Sequence, residues 1–136
     1  MTHLRETLVS YRLEMARRTL NDARLLVESG GSPWSVANRA YYAMFYAVLA
    51  LLIAVGQSPR KHAGAITLFD KLFVKPGLFP AETSRWLHRA FTLRQLADYR
   101  ELADISPERA SELVTWAGEL VGHVERFLRA QQPRQN

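Results

Sequence analysis

Between Ser32 and Gly56 the chain carries one apolar seam that a strand would scatter and a helix can bury. Ala37, Tyr41, Met44, Val48, Leu51 and Val55 follow steps of four, three, four, three and four, which place all six on one helical face. A second row, Tyr42, Phe45, Leu49 and Leu52, widens that face. Few positions are left for solvent, so this helix is expected to lie at the centre of a bundle. Ser32 and Pro33 supply an N-cap and a first-turn proline, and Gly56 stops the helix near Val55.

The rest of the chain reads as helix on either side of that centre, and no strand-like alternation persists. A first helix is expected from about Leu4 to Glu28, with Leu4, Leu8, Tyr11, Met15, Ala16, Ala23 and Leu26 as its apolar positions and Gly30-Gly31 as its end. A third is expected from about His62 to Phe73, broken by Lys75, Pro76 and Gly77. A fourth is expected from Ala81 to Leu102. Ser106 and Pro107 repeat the serine–proline start signal, opening a fifth that runs to about Ala130. This predicts an all-α fold, a single up-and-down bundle of about five helices over residues 1–130, with a polar, flexible tail over 131–136.

Composition narrows the function. The 136 residues contain no cysteine, which excludes a disulfide framework, a thiolate metal site and a cysteine nucleophile, and fits a reducing cytoplasm. No secretory signal is visible. The most apolar stretch, Ala43 to Val55, is too short to span a bilayer, so a cytoplasmic protein without a membrane role is expected. The formal charge is +5, and fifteen of the eighteen basic residues are arginine, the side chain whose planar fork matches phosphate.

Two of those arginines lie in segments that otherwise read as buried helix, and a buried guanidinium needs a partner. Arg39, Tyr42 and Tyr46 fall near one another on the second helix. Arg94 follows Leu87 and Phe91 on one row of the fourth helix, with Asp98 one turn further on as a possible ion-pair partner. Tyr99 lies five residues after Arg94, about 140° away on a straight helix. The two would share a site only if the helix bends there or two subunits meet. These residues form either a polar network that fixes helix register or a pocket for an anion. His62 opens the third helix beside Arg60 and Lys61, where the helix end and two cations disfavour its protonation. Its alternatives are phosphate contact and a plain surface position. His88 and His123 read as isolated. Arg85, His88, Arg89 and Thr92 make a basic strip that reads as a solvated face. No metal-ligand spacing, phosphate loop or dinucleotide fingerprint occurs, so neither a metal nor a cofactor is expected.

The runs from Asn38 to Phe45, Lys61 to Gly64, Leu68 to Leu78 and Leu93 to Tyr99, in that order and spacing, resemble the HEPN superfamily (higher eukaryotes and prokaryotes nucleotide-binding), in its small stand-alone prokaryotic branch. The similarity covers about residues 8 to 128. It implies a helical bundle that commonly forms a homodimer. It also implies pairing with a nucleotidyltransferase as a toxin–antitoxin-like module, and RNA or nucleotide as ligand. Many members of the superfamily are metal-independent RNases whose motif is an arginine followed, four to six residues on, by a histidine near the dimer interface. On this chain Arg94 matches the arginine and Tyr99 takes the histidine position. A tyrosine is a poor base at neutral pH, so cleavage of the usual type is in question. The resemblance also makes Tyr99 a candidate acceptor for adenylylation. The candidate residues are therefore Arg94 and Tyr99 as a catalytic pair, and Arg39, Tyr42, Tyr46, His62 and Asp98 as nucleotide- or RNA-binding groups. The alternatives are a non-catalytic docking subunit of a nucleotidyltransferase and a purely structural bundle.

Overall fold

Side-chain hydroxyls set three of the helix starts. Thr2 accepts the backbone N–H of Arg5, Ser32 that of Ser35 and Ser106 that of Arg109, and prolines follow Ser32 and Ser106 where the missing N–H costs nothing. In the computed structural model, which describes residues 2–101 and 104–132, five α-helices follow: α1 (His3–Glu28), α2 (Pro33–Ala54), α3 (His62–Phe69), α4 (Ala81–Leu96) and α5 (Pro107–Ala130). No strand occurs among the described residues. Glycines with positive φ end α1 and α2, at Gly30 (75°) and Gly56 (83°). In each turn a later N–H reaches back five residues, Gly31 to Leu26 and Gln57 to Leu52, a closure that a residue with a Cβ would strain.

The all-α bundle and the central position of α2 agree with the sequence reading. α2 packs against α1, α3, α4 and α5. Its seam from Ala37 to Leu51 is buried, as are Phe45 and Leu52. The second helix is also apolar over more of its length than the Ala43–Val55 stretch suggested. It alone among the described helices is long and apolar enough to cross a membrane, and in the bundle two thirds (67%) of its most apolar window is covered by protein.

Four expectations are corrected. The apolar row chosen on α1 is its core face only in part. Ala16 and Ala23 of that row are buried, together with Val9, Thr19 and Leu20, whereas Leu4, Leu8 and Tyr11 are exposed. Small side chains let α1 approach α2 closely, so bulk was a misleading guide to its inner face. α3 ends as α-helix at Phe69 and continues as one π turn, Asp70–Val74, in which the Lys75 N–H bonds the Asp70 carbonyl. That wider turn sets Phe69 and Phe73 against Phe79 and Phe127 in a buried cluster. α4 stops at Leu96 and tightens into a 3₁₀ turn over Ala97–Tyr99. Its expected last residue, Leu102, lies outside the described residues, as does most of the expected tail, 133–136. Finally, His88 is not isolated. The π turn brings Asp70 beneath it, and the imidazole Nε2 lies 2.6 Å from the carboxylate.

Candidate anion-binding site

Tyr42 is the hub of the site. It sits half-buried on α2, within reach of His62 from α3 and Arg94 from α4. Its hydroxyl accepts a 3.0 Å hydrogen bond from Arg94 Nε, across from α4. The Arg94 guanidinium carbon also lies 5.5 Å from the centre of the Tyr42 ring, and that of Arg39 lies 5.4 Å from it. Each cation gains from the ring's negative face. Arg39, one turn before Tyr42, turns two of its nitrogens toward Asn38 Oδ1, at 2.8 and 3.1 Å. Tyr46, one turn after, packs its ring 5.7 Å from that of Tyr42. Among the described residues neither guanidinium meets a carboxylate. Two positive charges held against one ring, without a countercharge, leave a strongly positive surface that an anion would neutralise.

His62 completes the group. Its ring stacks on Phe45 at 4.0 Å and 11° between planes and stands edge-on to Tyr42 at 5.9 Å. Its Nδ1 lies 2.7 Å from the hydroxyl of Tyr41. That phenol is fully buried, and burial raises its pKa well above the ordinary tyrosine value, so it keeps its proton. A hydroxyl can donate to or accept from Nδ1, so it orients the imidazole without fixing its charge. The imidazole pKa is lowered, first by burial and then by the nearby charge of Arg94. The depression expected from sequence is therefore present, but its main causes are packing and a residue on another helix. The lowered pKa favours the neutral imidazole at neutral pH. No group of histidine and acidic residues arranged to hold a metal ion occurs among the described residues.

A family model described as HEPN domain matches residues 9–127. The chain belongs to the HEPN family. A UPF0332 protein of Thermotoga maritima is 35% identical over 124 residues, covering 91% of this chain and 93% of that protein. Two proteins of Methanocaldococcus jannaschii are each 34% identical. "Putative toxin MJ0142" covers 75% of this chain and 69% of its own length, and "Putative toxin MJ0605" covers 79% and 78%.

Within this HEPN domain the fold brings Arg39, Tyr42, Tyr46, His62 and Arg94 together, and leaves Asp98 and Tyr99 apart. Asp98 is exposed and makes no ion pair with Arg94. Tyr99 is 57% exposed. The helix does change pitch between Arg94 and Tyr99, but the change turns Tyr99 outward. Arg100, the next residue, lies over Trp34 at 5.9 Å. Trp34 stands two turns before Tyr42, about 12 Å back along α2. Sequence reasoning missed two contributors, Tyr41 as the partner of His62 and Phe45 as its stacking floor. Both were assigned to the core, correctly. Their contact with His62 depends on how α3 folds back, and no local spacing records it.

Proposed function

We propose that this HEPN protein acts as a toxin-like module that binds RNA or a nucleotide through its phosphate, at the side-chain cluster around Tyr42. The observation that carries this reading is the pair of half-buried guanidiniums, Arg39 and Arg94, placed on one tyrosine ring without a carboxylate partner among the described residues. A purely structural network would be expected to neutralise such charges within the chain. The half-buried ring of Tyr46 beside them offers a face on which a base can stack. The names of the Methanocaldococcus relatives support the toxin-like setting. In this reading the protein works in the cytoplasm as a homodimer, with a nucleotidyltransferase as antitoxin partner.

A second reading, metal-independent RNA cleavage, is favoured by one specific arrangement. Arg94 has a histidine beside it after all, namely His62 from α3 rather than a residue five positions downstream. Arg94 would stabilise the charge developing on the phosphate, and a neutral imidazole is a competent proton acceptor.

One experiment addresses both readings. Metal-free protein is titrated with a fluorescein-labelled RNA octamer, and the integrity of the RNA is followed on a gel. Wild type should bind, and Arg94→Ala should bind at least about tenfold more weakly while melting within a few degrees of wild type. Equal affinity in the two proteins would return the arginines to a structural role. Cleavage by wild type that is absent in Arg94→Ala supports the second reading, and intact RNA in both removes it.

A further inference from the structure

The cluster holds two permanent cations against the Tyr42 ring and one histidine bonded through Nδ1 to the Tyr41 hydroxyl, its neutral form favoured. A third fixed cation would add to the repulsion between Arg39 and Arg94 in the empty protein. An imidazole avoids that cost and can charge when an anion arrives. We infer that the cluster around Tyr42 is specific for a phosphate monoester, the terminal phosphate of a nucleotide or an RNA end, and that binding it draws a proton onto His62. The inference rests on the anion-binding reading above and adds the chemical class of the ligand and the means of its selection.

The surroundings of His62 support this on every side. From α2 it meets Tyr41, Tyr42 and Phe45, and from α4 Phe91 and Arg94. Arg60 and Lys61 precede it in the chain and are exposed. No carboxylate pairs with it among the described residues. His88 is the contrast within the same molecule, because Asp70 stands 2.6 Å from it and already supplies a countercharge. Among the described residues no side chain supplies His62 with a countercharge. Its Nδ1 is occupied by the Tyr41 hydroxyl, and Nε2 has no protein partner among the described residues. A phosphate monoester carries close to two negative charges at neutral pH, whereas a diester linkage carries one. The dianion balances Arg39 and Arg94 and still raises the imidazole pKa, because an opposite charge at close range favours the charged form. The monoanion of a diester is already outweighed by the two guanidiniums and pulls less. Tyr41 accommodates the change by turning its hydroxyl from donor to acceptor.

The proton gives the test its signature. AMP and its cyclic diester counterpart are titrated into wild type, His62→Asn and His62→Gln by calorimetry at pH 7.0 and 8.5, in two buffers of different ionisation enthalpy. In this range AMP stays doubly charged, since its second pKa is about 6. Wild type should bind AMP about tenfold or more tightly than the cyclic diester, take up part of a proton on binding, and lose affinity as pH rises. Both His62 variants should still bind AMP, with no proton uptake and no pH slope. A 5′-phosphorylated RNA octamer that competes with AMP when its 5′-hydroxyl twin does not would identify an RNA end as a source of the group. Competition by neither octamer would confine the site to free nucleotides. Equal affinity for AMP and the cyclic diester, or a proton uptake that survives in both His62 variants, would overturn the inference while leaving the anion-binding reading intact. Absence of binding by wild type to either ligand and to the octamers would take down both.

Discussion

The bundle holds two aromatic clusters of similar spacing and opposite character. At one, Phe69, Phe73, Phe79 and Phe127 meet with ring centroids 5.4 to 6.2 Å apart, and the rings of Phe69, Phe73 and Phe79 are buried. At the other, Tyr41, Tyr42, Phe45, Tyr46 and His62 meet at 4.0 to 6.4 Å, but with phenols, an imidazole and two guanidiniums among them. Similar ring packing therefore serves two ends. The first cluster gains stability from burial alone. The second uses its rings as a floor on which charges are held half-exposed.

The sharpest way to break this contrast is to damage the hydrocarbon cluster. Phe73 is 2% exposed, and its truncation removes a ring and leaves a cavity that the π turn cannot collapse to fill. Phe73→Ala should cost about 3–5 kcal/mol, read as a shifted midpoint in urea denaturation. The fraction that remains folded should bind AMP with wild-type affinity. A loss of affinity in that folded fraction would mean that the two clusters are coupled through α3 and do not have separate jobs.

How much of this was legible in the sequence follows from the range of the interactions involved. The seam from Ala37 to Leu51 and the serine–proline starts at Ser32 and Ser106 are local signals, and they located α2 and α5 closely. The wheel placed Arg39, Tyr42 and Tyr46 together correctly, because residues three, four and seven apart share a face whatever the tertiary fold. The hydrogen bond from Arg94 to Tyr42 spans 52 positions and that between Tyr41 and His62 spans 21. No periodicity encodes either one. The inner face of α1 was read only in part, for a different reason. Ala16 and Ala23 were placed on it correctly, but Val9, Thr19 and Leu20 complete it, while the larger Leu4, Leu8 and Tyr11 stay outside.

A smaller effect sharpens the contrast between the two partnered histidines. The fold depresses the pKa of His62 below its ordinary value of 6.5. In acid the unfolded chain therefore binds a proton that the folded chain resists, and stability falls as pH falls. The contribution is intact above about pH 6.5 and is lost progressively below it. Thermal melting followed between pH 7.5 and 5.0 should show a steeper decline for wild type than for His62→Asn. The opposite order would mean that His62 is charged in the folded state, and the site would then be a permanent three-cation cluster.

The smallest expected effect is also the one that separates a site within one chain from a site shared by two. Tyr99 is 57% exposed and has no hydrogen bond or ring contact with the Tyr42 cluster among the described residues. Tyr99→Phe should change stability by no more than about 0.5 kcal/mol and leave AMP affinity and the fate of RNA as in wild type. Removing one exposed hydroxyl forfeits nothing that water does not replace. If Tyr99→Phe instead weakened binding as much as Arg94→Ala does, its hydroxyl would have to reach an Arg94 other than its own. The ligand would then lie between two copies of the chain, and the partnership of Arg94 with His62 inside one bundle would account for only half of the site.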